Sequence, residues 1–562
     1  MAFQVSPGVN VSEIDLTTVV PSVSTTAAAT VGRFQWGPAG KRTLITSENN
    51  LVSVFGKPDS NTATSFFSAA NFLSYGNNLQ VVRAANTLSY NATSNTNNLL
   101  VIANEDVYDT SYALSDQPAT AFVARYQGAL GNSLKVAVYS ANDTLAFASW
   151  AYKSYVNGAP GTSTFVSSSG GANDQIHVVV VDEDGLFSNG VKGTILEIFP
   201  YLSKATNGVS DDGSATYYRT VVRNQSRYIY ALGPVETGSN WGSVANTSFT
   251  GVTTTALANG ISLAAGTSQN VTTGDKTTAI SLFDNKEEVD VSLLVSGDAA
   301  TTEQQAWIDQ AVARKDCIAF VSPPSTVTTS ATPADVVTTW ASSTLNRASS
   351  FAVADSGWKY QFDKYNNVYR WIPLNADIAG LCVRTDLNND PWFSPAGFNR
   401  GQIRNVVRLA WNPSQAQRDS LYGLGVNPVV SFPGQGTILY GDKTLLNQPS
   451  AFDRINVRRL FIVLEKAIAN AARFSLFELN DETTRAQFVG LVEPFLRDVK
   501  GRRGITDFRV VCDTTNNTPQ VIDSNQFVGD IYIKPARSIN YIQLNFVAVR
   551  SGVNFNEIAG VL

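Results

Sequence analysis

Histidine is almost missing from this chain of 562 residues: His177 is the only one. It sits in Gln175-Ile176-His177-Val178-Val179, an apolar strand pattern that predicts a structural role. A Ser/His/Asp triad would have to use it, and no Gly-x-Ser-x-Gly elbow accompanies it, so hydrolase chemistry is a poor reading. An imidazole metal site fails for want of partners. Cysteine is scarce as well. Cys317, Cys382 and Cys512 stand far apart, form no paired metal motif and read as reduced, buried thiols of a cytosolic product. Catalytic residues, metal ligands and cofactor-binding residues are therefore all expected to be none.

Charge is thin. Charged residues make 15% of the chain, against about 25% in average soluble proteins. Ser, Thr, Asn and Gly take their place, which suits a β-rich chain with large solvated or self-associating surfaces. With 41 basic and 46 acidic residues the net charge is −5, which argues against nucleic-acid binding through bulk positive charge. Long hydrophobic runs are lacking too: 178–181 and 460–464 fall far short of a membrane span. Residues 1–7 show no basic region followed by an apolar stretch, so a secretory signal is not visible and a soluble product of a cytoplasm is expected. The length calls for two to four domains, and no repeat of 20–50 residues suggests a solenoid or propeller.

Along the chain, Val9 and Val11 alternate over one strand's length after the turn Ser6-Pro7-Gly8, and 17–30 is small and polar. A lone strand cannot satisfy its own backbone groups, so it must pair elsewhere. Short helices are predicted at 51–55 and 65–73, a strand at 79–83, and an Asn-rich insertion between 86 and 116. Strands are expected at 134–138, 176–182 and 194–199, then long loops over 238–275. From 289 the pattern becomes strand 289–295, helix 302–314 with Ile308, Ala311 and Val312 on one side, strand 317–321, helix 334–345 and strand 350–354. Thr332 is the expected N-cap and Pro333 the first residue of that last helix. Such alternation is the signature of a largely parallel sheet covered by helices. A hairpin over 358–372, helices at 414–422, 456–474 and 482–499, and strands at 508–512, 527–533 and 539–549 complete the reading. Pro494 predicts a kink or restart in the third helix. Val553 and Phe555 form a second orphan strand near the end.

Gly436-Thr437-Ile438-Leu439-Tyr440-Gly441-Asp442-Lys443-Thr444 imitates a phosphate-binding loop, but Asp442 would place a negative charge at the phosphate and 437–440 is strand-like. The basic cluster Arg497, Lys500, Arg502 and Arg503 has two readings, a solvated helix end or a site for an acidic partner. Residues 351–562 carry 23 basic and 19 acidic side chains, leaving a net −9 on the first 350.

Four blocks carry a family resemblance: Ser6-Pro7-Gly8-Val9-Asn10-Val11-Ser12-Glu13-Ile14 with Gly32-Arg33-Phe34-Gln35-Trp36-Gly37-Pro38; Lys359-Tyr360-Gln361-Phe362-Asp363 through Arg370-Trp371-Ile372-Pro373-Leu374 to Cys382; Ser394-Pro395-Ala396-Gly397-Phe398-Asn399-Arg400-Gly401; and Leu439-Tyr440-Gly441-Asp442-Lys443-Thr444 onward through Phe452-Asp453-Arg454-Ile455 to Pro535-Ala536-Arg537-Ser538. Together they resemble the tail sheath proteins of contractile-tailed bacteriophages (myoviruses), in the T-even-type form, densely from about residue 358 onward.

The resemblance implies a multidomain α/β and α+β protein: a subtilisin-like α/β domain without catalytic triad, a C-terminal α+β core domain, and extended N- and C-terminal strand-donating arms. The boundaries expected are an N-terminal arm at 1–25, an outer β-rich domain from 26–86 and 118–250, a reduced protruding insertion at 87–117, the subtilisin-like domain at 251–430, the core domain at 431–550 and a C-terminal arm at 551–562. The subunit is expected to stack as hexameric rings around the tail tube and to contract, driving the tube through the host envelope for genome ejection. Its partners would be itself, the tail tube protein, and baseplate and tail terminator proteins, with no direct contact to nucleic acid or membrane. Its place would be the virion's tail sheath, assembled in the host cytoplasm. Val9, Val11, Val553 and Phe555 would donate strands to an edge built by Phe527, Ile531, Ile533, Ile542 and Leu544, and Arg497, Lys500, Arg502 and Arg503 would face the tube. The alternatives are the sheath of a phage-derived contractile injection system and a subtilisin-type hydrolase.

Overall fold

A computed structural model describes residues 23–113, 120–141, 145–232 and 258–540. The chain divides between Phe474 and Ser475 into two compact units. The larger is built on a seven-stranded sheet in the order Val426–Asn427, Ala352–Asp355, Ile318–Val321, Leu293–Val295, Ala28–Gly32, Leu79–Arg83, Arg42–Ile45. All neighbours pair parallel except Arg42–Ile45, which runs antiparallel to Leu79–Arg83.

These strands are apolar at nearly every position because both faces are covered, as parallel sheets require. Ala28, Val81, Leu293, Phe320 and Val353 face a core shared with helices Ala63–Leu73 and Asn375–Asn388. Their neighbours Ala29, Val82, Leu294, Ala319 and Ala354 face a second core with Ala279 and Ile280 of helix Thr273–Ser281 and with Trp307 and Ile308 of helix Thr301–Arg314. The strand–helix alternation from 289 onward is thus realised as a helix-covered parallel sheet. Its details differ: only Leu293–Val295 is strand, Val312 is exposed, Thr332 makes no side-chain cap bond, and the helix from Pro333 widens into a π-turn over Trp340–Leu345.

Two corrections concern organisation. Residues 26–86, expected in the outer domain, supply three strands to the central sheet, because Ala28–Gly32 pairs on one side with Leu79–Arg83 and on the other with Leu293–Val295. Helix Asn375–Asn388 has no counterpart in the sequence reading. It is buried almost all round, so it shows no amphipathic period. Its Gly380 permits the closest approach: a Cβ there would lie 2.4 Å from the Tyr75 ring.

The outer part is an antiparallel sheet, Thr194–Ser203, Gln175–Asp182, Leu134–Ser140 and Ile261–Ser262, beside the pair Phe122–Ala124 and Ile229–Ala231. The Asn-rich stretch after 86 is woven into this part. Asn91 is fully buried, its Nδ2 donating to the carbonyls of Ile102 and Ala124 and its Oδ1 accepting from the Ile102 amide at 2.7 Å. A buried amide satisfied at both ends is how so polar a sequence enters a core. Tyr108, on helix Glu105–Ser111, stacks on Tyr230 with ring centroids 4.1 Å apart.

In the smaller unit, Asp481 caps helix Glu482–Gly501, accepting from the Thr484 amide, and the helix runs on through Pro494 without a restart. Strands Ile505–Val511 and Asp530–Pro535 form an antiparallel pair. Each of the two leaves one edge unpaired among the described residues.

Candidate assembly interface

In open α/β sheets ligands bind beyond the carboxyl ends of the parallel strands. Here that crevice is filled by its own side chains. Ser322 follows one strand and Asp355 ends the next. The Ser322 hydroxyl donates to Asp355 at 2.6 Å and accepts from the Asn375 amide and side chain, while the Gly357 amide donates to the other Asp355 oxygen. Burial pushes the Asp355 carboxyl up to about 8, outweighing these two donors. One turn into helix Asn375–Asn388, Asp377 accepts from the Lys359 ammonium at 2.8 Å and from the Tyr75 hydroxyl at 3.1 Å. Lys359 also donates to the Arg404 carbonyl, and the Arg404 amide donates to Tyr75. Burial draws both charges toward neutrality, raising Asp377 and lowering Lys359 against their mutual attraction. This network ties a hairpin, a helix and a loop together and offers no open nucleophile.

His177 lies in the outer sheet, away from that crevice. Its Nε2–H donates to the Gly158 carbonyl at 2.9 Å and its Nδ1 accepts from the Tyr201 amide at 3.0 Å, which fixes the tautomer. Trp150 stacks on the ring and burial lowers its pKa, keeping it neutral. The cysteines are buried, and the Cys382 thiol is pushed up to about 12. Among the described residues no cluster of His, Cys, Asp and Glu could hold a metal ion, and no helix is long and apolar enough to cross a membrane. The phosphate-loop imitation is likewise engaged internally. Gly436–Leu439 is a strand, Asp442 is held by Arg454 at 2.9 Å, and the Lys443 ammonium donates to the Tyr422 carbonyl.

Of the predicted assembly residues, Ile531 and Ile533 lie on strand Asp530–Pro535, opposite Val510 and Phe508. Phe527 precedes that strand and packs edge-on against Phe488 of its own unit, with centroids 5.4 Å apart. Val9, Val11, Ile542, Leu544, Val553 and Phe555 lie outside the described residues. Arg497, Lys500, Arg502 and Arg503 cluster at the exposed end of helix Glu482–Gly501. Three of them have local carboxylates, Glu493 for Arg497, Asp507 for Lys500 and Asp498 for Arg502.

A further surface escaped sequence reasoning. Strands Trp358–Asp363 and Val368–Pro373, with Arg408–Leu409, make a three-stranded sheet of inverted polarity. Lys359, Gln361 and Asp363 point inward and are buried, while Phe362 and Tyr369 point outward, 45% and 51% exposed. Tyr360 stacks on Tyr369, and the Arg408 guanidinium lies 4.9 Å from the Tyr360 ring centre and 5.2 Å from that of Trp371. The available signal was the stretch 391–418, which holds four arginines and no Asp or Glu.

A sheet sealed at its ligand end, and in the second unit strand edges left unpaired among the described residues, are features of a protein that assembles. The same overall fold occurs in the sheath tail proteins of Listeria innocua (TM-score 0.53, 12% identity, 92% of this chain and 96% of that one) and Desulfitobacterium hafniense (TM-score 0.50, 12% identity, 94% and 100%). It also occurs in the contracted helical sheath of the anti-feeding prophage (TM-score 0.51, 13% identity, 97% and 99%). The fold class is thus mixed α/β and multidomain. Family models match residues 269–445 (phage tail sheath protein central domain), 447–548 (phage tail sheath C-terminal domain) and 25–84 (tail sheath protein Gp18 domain III N-terminal region). The tail sheath proteins of Vibrio phage KVP40 and Enterobacteria phage T4 are 34% and 35% identical, each over 99% of both chains. That of Salmonella phage ViI is 30% identical over 99% of this chain and 98% of its own. The chain belongs to the tail sheath protein family of contractile-tailed phages.

Proposed function

We propose that this chain is the structural subunit that polymerises as stacked hexameric rings around a phage tail tube and contracts to drive the tube through the host envelope. The observation that carries this is the full-length likeness to curated tail sheath proteins, at 34–35% identity from end to end. Work in such a device comes from repacking subunits from a strained extended array into a lower-energy contracted one, which calls for rigid bodies joined by separable contacts. The helix-covered sheet with its sealed polar network supports the rigid part.

In this reading the larger unit holds a subtilisin-like α/β domain that is catalytically silent, supported by the filled crevice and by the distant, neutral His177. The terminal arms, 1–25 and 551–562, donate strands to neighbours through Val9, Val11, Val553 and Phe555. The acceptor is the open edge carrying Ile531 and Ile533, continued by Ile542 and Leu544. The contact is heterologous, so it propagates into a helix instead of closing as a dimer. Arg497, Lys500, Arg502 and Arg503 face the tail tube protein, and baseplate and terminator proteins meet the two ends of the sheath. A phage-derived contractile injection system is the second reading, favoured by the shared fold with the anti-feeding prophage sheath. Electron microscopy of the purified full-length protein tests the first: tubes of contracted-sheath width are expected. Dispersed monomers at all concentrations and ionic strengths would overturn it.

A further inference from the structure

We propose that the outward aromatic face of the hairpin, with Arg404 and Arg408, is a docking surface for a carboxylate-bearing segment of a neighbouring copy of this chain. The inference rests on the reading of the chain as a sheath subunit and names one contact within that assembly.

The first observation is the inverted polarity. A half-buried antiparallel sheet normally turns its apolar side chains inward and its polar ones to water. In Trp358–Asp363 the charges of Lys359 and Asp363 are taken inside, each with an ion-pair partner, Asp377 and Arg370. On the outer face the rings of Phe362 and Tyr369 are exposed, beside the half-buried Tyr360 and Trp371. Exposed Val407 extends the apolar surface beside them. Contiguous exposed aromatics of this kind mark interaction sites.

Charge is the second. Arg384, Arg400, Arg404 and Arg408 have no carboxylate partner among the described residues, and each lies over an aromatic ring. Arg384 and Arg404 share one ring: their guanidinium carbons are 5.8 and 5.1 Å from the Tyr75 centroid. Arg384 donates to the Arg400 carbonyl, and Arg404 to that of Ser74. Asp377, which meets the Tyr75 hydroxyl, is engaged by Lys359 as well. Burial lowers the pKa of Arg384, and the like charge of Arg404 adds to that in the same direction. A carboxylate arriving from outside relieves this and gains a charge-assisted bond to a guanidinium pre-oriented on an aromatic ring.

The third observation selects the occupant. The first 350 residues carry a net −9, while 351–562 carry +4. Asp211, Asp212, Glu287 and Asp335 are exposed there with no cation partner among the described residues. A second copy therefore supplies the complementary charge, and a repeated head-to-tail contact between unlike surfaces suits a helical array.

The test is made on the full-length protein assembled into tubes. A photoreactive benzoyl-phenylalanine in place of Tyr369 should crosslink to another copy, in a peptide from the acidic first 350 residues. Tubes that form without such a crosslink, or that crosslink at this position only to a tube or baseplate protein, overturn the docking surface while leaving the sheath reading intact. Wild-type protein that never forms tubes overturns the sheath reading and this inference with it. In parallel, Arg408→Glu should raise the protein concentration needed for assembly about tenfold, with the melting temperature unchanged. Arg408→Lys should restore part of that loss. Assembly indifferent to both substitutions overturns the proposal.

Discussion

Lys359 and Asp377 meet at 2.8 Å with side chains 0% and 1% exposed, joining the hairpin to helix Asn375–Asn388 in the interior of the larger unit. Both charges are dehydrated, and Asp377 Oδ2 has no hydrogen-bond partner. Breaking such a pair from one side strands a buried charge, at a cost of about 3–5 kcal/mol. Lys359→Met or Asp377→Leu alone should therefore lower the denaturation midpoint sharply. The double substitution should recover most of the loss, because the pair's own net contribution is small. Chemical denaturation of the four proteins measures this directly. Equal losses that add up would show that the pair stabilises the fold on its own account.

Asp355 predicts an alkaline limit to stability. Its folded pKa of about 8 stands above the ordinary value of 3.8, so the folded state holds a proton that the unfolded state has released. The contribution is complete below about pH 4 and is lost as pH rises through 8, with a slope approaching 1.4 kcal/mol per pH unit between the two. Asp355→Asn should flatten that slope and be relatively more stable at pH 9 than at pH 5. Thermal melts across that range provide the check.

His177 acts in the other direction. Its folded pKa lies below 6.5, so the unfolded chain takes up the proton first and stability falls as pH drops through 6.5. His177→Ala should cost about 2–4 kcal/mol, through lost packing against Trp150 and two buried bonds left unmade. It should change no esterolytic or proteolytic rate. Turnover that survives purification and vanishes in this variant would contradict a silent α/β domain.

Removal of residues 1–16 or 551–562 should leave a folded protein that no longer forms tubes. Circular dichroism and electron microscopy of the two truncations report on folding and assembly separately. Normal contractile tubes from either one would show that end to be dispensable.

Arg502→Glu with Arg503→Glu should weaken assembly on tail tubes at low salt and have little effect at high salt. Exposed ion pairs are worth about 0–1 kcal/mol each and are screened. Because Arg502 and its neighbours also pair within their own unit, the effect should be graded. Co-sedimentation with tubes at two ionic strengths reads it.

The sequence was most informative where one face of an element is wet. Helix Ile455–Ala472 keeps Val457, Leu460, Leu464, Ile468 and Ala471 buried, and its period was visible within a residue or two of its ends. Helix Asn375–Asn388 is enclosed by core on all sides and left no period to read. Alternation located the hairpin strands correctly but could not tell which face was inward. Lys359 and Asp363 found buried partners at Asp377 and Arg370, a tertiary fact that no local pattern encodes. The expectation of catalytic silence rested on there being a single histidine, whereas the arginine face depends on which carboxylates fail to come near it. The place of residues 26–86 was hidden for a different reason: the strand that joins them to the rest of the sheet, Ala28–Gly32, finds its second partner more than two hundred positions later in the chain.

That separation sets a schedule. Strand Ala28–Gly32 lies in the middle of the central sheet, between Leu79–Arg83 and Leu293–Val295. During synthesis its first neighbour is available early, but its second emerges only after the outer sheet has been made. At roughly 5–20 residues per second, the growing polypeptide carries an uncovered row of backbone amides and carbonyls for about 10–40 seconds. That seam of the sheet therefore stays open until about half of the chain has been made, and on a polysome crowded with sister chains that interval is where a host chaperone would find its substrate.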